Sequence, residues 1–413
     1  MKALLRDSRV QRLLLANITG SIGSGITIIA VPWLLIHRPN GDQLYGYITL
    51  GTTIALFLFM PHYGTWIDRH SRKTMLLAGE LFGFFATLTL GLWTLVTGRA
   101  ETWQLTAAFF CGMLYYTLHF PAKYAFLQQV IDRAHYQSLT GLMEIQGQAA
   151  NMIAGGLAGM LVDRVALSTI LLVDASTYLF SFLVQATIPY SATHLAPGEA
   201  RPVAGAWQAM TEGWRWLHAH PRLSVFFGCT LVPFVLVMVS NYLFPVYVAG
   251  TLGAPAAVFG LGEIVFAGGA LLAGFFIPQL ASNRGADQTI VLTMGACLAS
   301  LVILTGWHTE PAYYAALLLF GLGNAGSRVA RSALVMHLVP NAVMGRVGMF
   351  FNAADRLLRT GLTLACTLIV THHNAVLGFA LLLAVQLAAS AGTLATRATV
   401  RSARDAGAAP AKL

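Results

Sequence analysis

A group of polar residues interrupts an apolar segment, 347–370, near the end of the chain. Its members stand at offsets of three, four and seven from the first, so one helical face carries all of them: Asn352, Asp355, Arg356 and Arg359. Asp355 and Arg359 are four residues apart and can form an ion pair. The group fits either a salt-bridge network that closes a helix bundle or a site where Arg356, with Arg359, binds the carboxylate or phosphate of a ligand.

A second polar face occurs in the apolar segment 312–337. Asn324, Arg328 and Arg331 follow one another at offsets of four and seven. A cation inside an apolar segment is costly, so one that is kept there is a candidate for function. We therefore predict that Asn324 and Arg328 contribute to a binding site, whereas Arg331 can extend its guanidinium to a polar surface.

Five acidic residues also fall inside apolar segments: Glu80, Glu144, Asp174, Glu263 and Asp355. Glu144 is the first candidate for a proton-binding carboxylate, because a nearby charge or substrate can switch a buried carboxyl group between its two protonation states. An ion pair with Lys123 is the structural alternative for Glu144. Asp355 and Glu263 are further proton-binding candidates, and Glu80 and Asp174 are predicted to form hydrogen bonds between helices.

Two neutral polar residues complete the candidate set. His119 shares a helical face with Tyr115 and Lys123 and can titrate near neutral pH, although a hydrogen-bonded structural histidine fits the same pattern. Asn17 precedes Ser21 and Ser24, a pattern that suits either close helix packing or the polar wall of a cavity. We include His119 and Asn17 among the predicted substrate-binding residues.

Patterns typical of enzymes and metal proteins are missing from the sequence. The four cysteines stand singly in apolar runs, and His372-His373 has no further ligands at metal-binding spacing. There is no phosphate-binding loop and no recognisable nucleophile–base set. We predict no metal, no cofactor and no enzymatic activity.

The composition shows which elements must position these residues. Of the 413 residues, 56% are apolar and 10% are charged, and the mean hydropathy is +0.67. Soluble proteins are about 25% charged, so a soluble enzyme and a disordered chain are both excluded. A membrane-spanning helix needs about 20 residues, and the sequence predicts twelve of them: 13–36, 44–66, 74–97, 103–122, 139–162, 168–189, 223–249, 256–280, 288–306, 312–337, 347–370 and 376–396.

The distribution of the cations predicts the orientation of these spans. With the amino terminus in the cytoplasm, 18 of the 25 Lys and Arg residues lie on the cytoplasmic side, three lie on the other side and four lie inside spans. This is a strong positive-inside bias, so we predict that both termini are cytoplasmic. The net charge of +9 is then explained by membrane topology, and nucleic-acid binding is not expected.

The spans divide into two sets of six. We predict an N-terminal half at 1–189, a cytoplasmic linker at 190–222, a C-terminal half at 223–396 and a cytoplasmic tail at 397–413. The linker contains an amphipathic segment, 206–217, whose tryptophans and Arg215 suit a helix at the headgroup level. Six spans, a linker and six more spans are typical of a duplicated transporter with its site between the halves.

The connection after the second span carries a motif, Gly64-Thr-Trp-Ile-Asp68-Arg69-His-Ser-Arg72-Lys73. It resembles the signature of the major facilitator superfamily, Gly-x-x-x-Asp-Arg-x-x-Arg-Lys, in the same place. The resemblance implies an all-α fold of 12 transmembrane helices in which this loop latches the two halves on the cytoplasmic side. Asp68 can then interact with the N-terminus of the eleventh span near Arg346, while Arg69, Arg72 and Lys73 anchor the loop at anionic headgroups. A solvated charge run explains the basic residues but not Gly64 and Asp68.

Shorter blocks resemble particular branches of this superfamily. The segments 213–221 and 344–352 look like those of macrolide efflux pumps and siderophore exporters. Pro121-Ala-Lys123-Tyr124, followed by Gly141-Leu-Met-Glu144, resembles the bacterial lysophospholipid transporters.

These resemblances imply a function. We expect a monomeric secondary transporter in the bacterial inner membrane, a proton-coupled exporter of an amphipathic, partly anionic molecule of siderophore-like or drug-like type. It would work by rocker-switch alternating access among membrane lipids. A lysophospholipid transporter is the alternative, and a receptor or a membrane-embedded enzyme is a remote one.

Overall fold

The computed structural model describes residues 7–130, 136–190, 206–339 and 341–407, and the described chain is helical. The α-helices are α1 Ser8–Ile36, α2 Gly41–Arg69, α3 Arg72–Thr97, α4 Thr102–Val130, α5 Tyr136–Leu161, α6 Leu167–Ala186, α7 Ala206–Ala219, α8 Pro221–Cys229, α9 Val232–Val246, α10 Ala256–Arg284, α11 Ala286–Gly306, α12 Glu310–Leu338, α13 Asn341–His372 and α14 Ala375–Gly407. A π-helical turn, Tyr247–Thr251, follows α9.

Helix ends follow from local sequence signals. The Asp7 side chain accepts a hydrogen bond from the Arg9 backbone N–H at 2.8 Å and so caps the start of α1. Ser71 caps α3 in the same way, through the Thr74 N–H. The other end of α3 is closed by Gly98, whose φ of 65° is left-handed and suits glycine.

The predicted span 223–249 is broken into three helical pieces: α8, α9 and the π-helical turn. Pro233 lies in the first turn of α9, where proline is tolerated, but its ring would clash with the Cys229 carbonyl in a continuous helix. Pro245 disturbs the end of α9 in the same way, and the π-helical turn begins two residues later. The proline positions account for the difference from the single predicted helix.

Among the described residues, seven helical segments are long and apolar enough to cross a membrane. They are Ser8–Ile36, Arg72–Thr97, Leu167–Ala186, Pro221–Thr251, Ala256–Arg284, Ala286–Gly306 and Ala375–Ser402. Helices α12 and α13 are outside this set, and they carry Arg328, Arg331 and the polar group around Asp355. The side chains that mark a candidate site thus also lower the hydropathy of the helices that hold them. The predicted number of twelve crossings and the cytoplasmic termini stay predictions.

The chain forms two compact units. Unit 1 is Met1–Ala200 with Ala254–Ile264. In it, α1 packs against α4, α5 and α6, and α3 packs against α4 and α6. The beginning of α10 belongs to this unit because it approaches glycines of α5: a Cβ on Gly159 would lie 3.1 Å from the Cα of Ala257.

Unit 2 is Arg201–Gly253 with Val265–Leu413. Helix α11 packs against α12 and α14, α9 packs against α13 and α14, and the linker helix α7 packs against α13. An ion pair at 2.9 Å between Arg397 and the buried Asp287 ties α14 to α11. These helices form the framework in which the polar face of α13 is held.

Candidate functional site

A buried carboxylate organises the interior of unit 1. Helix α3 supplies Glu80, which is 0% exposed, α4 supplies Tyr115 and His119, and α6 supplies Ser181 and Gln185. Gln185 Nε2 donates a hydrogen bond of 2.8 Å to Glu80 Oε1, and the Ser181 and Tyr115 hydroxyls lie 3.3 Å from the carboxylate. His119 Nδ1 lies 3.4 Å from Oε1 and 3.1 Å from the Tyr115 hydroxyl. We name these five residues the Glu80 cluster.

A second buried acid lies on the same helix as Ser181. Asp174 is 1% exposed and accepts a hydrogen bond of 2.6 Å from the Thr27 hydroxyl of α1. Between it and the Glu80 cluster stands Tyr178, whose ring meets the Tyr115 ring edge to face at a centroid distance of 4.6 Å. Glu80 and Asp174 therefore hydrogen-bond between helices, in agreement with the sequence-based expectation.

Two predicted asparagines are buried in separate units. Asn17, in α1, is 3% exposed, and neither its Nδ2 nor its Oδ1 has a hydrogen-bond partner among the described residues. Asn324, in α12, is 7% exposed, and its Oδ1 likewise has no hydrogen-bond partner among the described residues. Since buried polar atoms are normally hydrogen-bonded, these amides stay candidates for contacting a ligand.

In unit 2 the predicted pairing on α13 is present. Arg359 Nη2 lies 2.7 Å from Asp355 Oδ2, and the guanidinium also stands over the Phe234 ring at 5.5 Å from its centroid. Asp355 Oδ1 and Arg359 Nε have no hydrogen-bond partner in the part of the chain that the structure describes. Each member of the ion pair therefore keeps one polar atom that is not hydrogen-bonded to a described residue.

The open carboxylate borders a cavity of about 450 Å³ formed by α7, α8, α9 and α13. Most of its wall is apolar or aromatic, with residues such as Trp214, Leu217, Val235, Phe350, Phe351 and Leu358, and its polar groups include His218, Ser224 and Asp355. The rings of Trp214 and Phe350 are 5.3 Å apart, so α7 and α13 meet through aromatic contacts. The volume and the mostly apolar wall with few polar groups are typical of small-molecule sites. We name it the α7–α13 cavity.

Other predicted site residues do not line this cavity. Asn352 is exposed, and Arg356 and Arg328 are half-buried on α13 and α12. Glu263 lies in the part of α10 that belongs to unit 1. It packs closely against α5, since a Cβ added to Gly155 would lie 2.8 Å from the Glu263 Cβ. The Glu144 side chain lies outside the described residues.

The motif after α2 is described only in part, because the side chains of Asp68 and Arg69 and the surroundings of Gly64 lie outside the described residues. Arg72 Nη1 donates to the Ala125 carbonyl at 2.9 Å. Lys73 Nζ donates to the carbonyls of Ala186 and Ile188 at 2.6 and 2.7 Å. These two cations therefore bind backbone carbonyls of α4 and of the end of α6, and the headgroup contacts expected from the sequence stay a prediction.

Sequence reasoning missed the convergence of the Glu80 cluster and the α7–α13 cavity. Tyr115 and His119, and likewise Ser181 and Gln185, are pairs at a spacing of four, and this was the available signal for two polar faces. Nothing in the sequence indicated that both faces meet Glu80. No group of three or more His, Cys, Asp or Glu residues among those described is placed to hold a metal ion.

Comparison with known proteins agrees with this architecture. Residues 13–361 match the Major Facilitator Superfamily. A protein of Bacillus subtilis (strain 168), the uncharacterized MFS-type transporter YfiS, is 22% identical over 224 residues. That match covers 54% of this chain and spans about half, 52%, of the length of the relative.

Solved structures show the same fold. A bacterial homologue of the iron transporter ferroportin in an inward-facing state has a TM-score of 0.68 at 16% identity, over 94% of this chain and 98% of that one. The nucleoside transporter NupG has a TM-score of 0.67 at 13% identity, over 96% and 99%. The named relatives are transporters, which agrees with the expectation that the chain is not an enzyme. With the family match over most of its length and its long apolar helices, the chain is a multi-pass membrane protein that belongs to the Major Facilitator Superfamily.

Proposed function

We propose that the protein is a proton-coupled exporter of an amphipathic, partly anionic organic molecule of siderophore-like or drug-like type. Transporters of this family carry small molecules, and the observation that carries the proposal is the α7–α13 cavity with the Asp355–Arg359 ion pair at its wall. The aromatic and aliphatic wall suits the apolar part of such a molecule. The proposed contacts for its anionic part are Arg359, which pairs with the wall residue Asp355, and three cations of α12 and α13 that lie outside the cavity wall, Arg328, Arg331 and Arg356.

The membrane arrangement of the proposal has twelve spans in two halves, 1–189 and 223–396, joined by the linker 190–222, in the bacterial inner membrane. The 18-to-3 distribution of cations supports cytoplasmic termini. Alternating access of the rocker-switch type would then expose one site to either side in turn. The motif Gly64–Lys73 is the proposed cytoplasmic latch, and export as the direction rests on resemblance to efflux pumps.

Counterflow in proteoliposomes tests the cavity. Purified protein is reconstituted and assayed with a siderophore, a macrolide and a labelled lysophospholipid, and a transported substrate should exchange without any change in its bonds. Leu358→Trp places a large side chain in the α7–α13 cavity and should abolish exchange. Leu357→Trp is the matched control, because Leu357 is 68% exposed and does not line the cavity. Equal exchange by both variants would reject the cavity as the substrate site.

Proton coupling has its own test. Glu144 is the first proposed carrier, with Asp355 and Glu263 as further ones. Glu144→Gln should still exchange substrate by counterflow but should no longer accumulate it in response to an imposed pH gradient. A variant that remains fully coupled would exclude Glu144 as the carrier.

A lysophospholipid transporter is the second candidate function. The observation that favours it is the amphipathic helix α7, whose half-exposed Trp214 forms part of the cavity wall. Such a helix suits the headgroup level of a bilayer, where a single-chain lipid would be met. Movement of the labelled lysophospholipid between leaflets, without exchange of the siderophore or the macrolide, would select this candidate.

A further inference from the structure

We propose that Glu80 and His119 form a proton-binding pair in the interior of unit 1, which takes up and releases one proton through the imidazole of His119. The proposal extends the proposed function, since it adds a proton site on α3 and α4 to the carriers Glu144, Asp355 and Glu263. It concerns residues that the substrate cavity does not use.

The setting of the carboxylate favours exchange of a proton. Glu80 is completely buried in an apolar helix, where an ionised group is costly. Its hydrogen-bond donors in the described chain are the neutral groups of Tyr115, Ser181 and Gln185, and its described ion-pair partner is His119, which is charged only when protonated. Lys123 adds a fixed positive charge that acts on both Glu80 and His119. Since that cation does not change, exchange of a proton is the means by which this site changes its charge.

The Glu80 cluster contains partners for both protonation states of Glu80. Gln185 Nε2 donates a hydrogen bond of 2.8 Å to Glu80 Oε1, which suits a carboxylate. Gln185 Oε1 has no hydrogen-bond partner among the described residues. If the amide turns over, the same side chain accepts a hydrogen bond from a carboxylic acid.

His119 lies on the path that we infer for the proton. The His119 side chain is 12% exposed, whereas that of Glu80 is 0% exposed, so the imidazole is the more accessible member of the pair. Nδ1 faces Glu80 at 3.4 Å and the Tyr115 hydroxyl at 3.1 Å, which leaves Nε2 on the opposite side of the ring. The imidazole thus connects the carboxylate to the surroundings.

One proton reaches Glu80 in two steps. A proton binds to Nε2 of a neutral imidazole that carries its hydrogen on Nδ1. The Nδ1–H bond breaks as the proton moves to Glu80 Oε1, where an O–H bond forms. His119 is then neutral, with its hydrogen on Nε2, and Glu80 is a carboxylic acid. Release follows the same steps in reverse.

The helices packed around the pair differ in the ionisable groups that they contribute. Helix α4 contributes Lys123 and α6 contributes Asp174 and Tyr178, while the closest ionisable residue before Glu80 on α3 is Lys73. The central part of α1 has no ionisable residue, and its Ala16 carbonyl accepts a hydrogen bond from Ser181. The described ionisable residues of α2 are near its beginning: Asp42, Tyr45 and Tyr47.

Infrared difference spectroscopy on the full-length protein in lipid nanodiscs tests the pair directly. Spectra across a pH series should contain the carbonyl stretch of a protonated carboxyl group that titrates together with an imidazole band. Glu80→Gln should remove that carbonyl stretch. His119→Gln should displace its pH midpoint by about 1 pH unit or more, because the Nδ1–H group that faces the carboxylate is lost. Asp174→Asn is the matched control, and it should leave the midpoint of this stretch in place.

Two results would overturn the proposal: a Glu80 carboxyl group that keeps one protonation state over the whole series, or a midpoint that His119→Gln does not move. If Glu80→Gln does not fold, Glu80→Asp is the second variant, because it keeps a carboxyl group but places it farther from His119 Nδ1. The carbonyl stretch of this variant should titrate independently of the imidazole band. No substrate is needed for these spectra. Failure of every substrate in the counterflow assay would therefore reject the proposed function and leave the proton-binding pair to be decided on its own data.

Discussion

The two units hold a buried carboxylate in opposite ways. In unit 1, Glu80 is surrounded by neutral donors from α4 and α6 and by one histidine. In unit 2, Asp355 is paired at 2.7 Å with Arg359 of its own helix, beside a mostly apolar cavity. A guanidinium stays charged in proteins, whereas an imidazole can gain and lose a proton. The first setting suits proton exchange, and the second suits recognition of a charged ligand.

The largest expected effect is on transport, at the cations of α13. Arg356→Gln should abolish transport and leave the folded yield intact, because the variant removes a proposed contact to the anionic part of the substrate. Counterflow and size-exclusion chromatography measure the two quantities. Unchanged transport would show that this cation serves a salt-bridge network. Arg356 would then be rejected as a contact to the substrate.

The next effect is on stability, and it tests the fixed charge of unit 2. Asp355→Asn should lower the free energy of unfolding by about 3 kcal/mol, since it leaves the Arg359 guanidinium without its partner. Arg359→Gln should cost less, because the remaining carboxylate borders the cavity. Thermal unfolding in detergent compares both variants with the double variant, which should recover part of the loss. Equal losses for the two single variants would contradict the assignment of a fixed charge to Arg359.

A smaller effect is expected in unit 1. Tyr115→Phe removes one neutral donor from Glu80 and should lower the free energy of unfolding by about 1 kcal/mol. Tyr116→Phe is the adjacent control, because Tyr116 is 57% exposed, and it should have little effect. A loss as large as that of Asp355→Asn would mean that Glu80 depends on this hydroxyl as strongly as Asp355 depends on its arginine.

The smallest effect concerns a carboxylate outside the spans. Hydrogen bonding to the Arg9 side chain lowers the pKa of Asp7 from its ordinary value of 3.8. Because the folded-state pKa is the lower one, the stabilisation is present above the ordinary value and is lost as the pH falls through the folded-state pKa. Asp7→Ala should cost about 1 kcal/mol at neutral pH, and less in acid.

Thermal midpoints of wild type and Asp7→Ala at neutral pH and at about pH 3 measure how the cost of the substitution changes with pH. Asp7→Asn, which keeps the capping oxygen, is the control and should show a weaker pH dependence. A wild-type midpoint that responds to acid no more than that of Asp7→Asn would exclude a contribution from the Asp7 charge.

Much of the helical framework could be predicted, because hydrophobic runs and capping residues are local. The predicted span 74–97 lies within α3, Arg72–Thr97, and 168–189 overlaps α6, Leu167–Ala186. The predicted span 223–249 lies within one long apolar segment, Pro221–Thr251, so the hydrophobic pattern predicted the span. The break between α8 and α9 inside that span was readable only in Pro233.

In the candidate sites, too, contacts between residues close in sequence could be predicted and contacts between distant residues could not. Asp355 and Arg359 are one helical turn apart, so the sequence by itself determined their pairing. Glu80 is 35 residues from Tyr115 and 105 from Gln185, and only the packing of α3, α4 and α6 decided that they meet. The α7–α13 cavity likewise exists because a linker helix packs against a helix far along the chain. Residues a few positions apart on a helix have a fixed spacing, whereas the meeting of separate helices depends on the shapes of all the side chains between them.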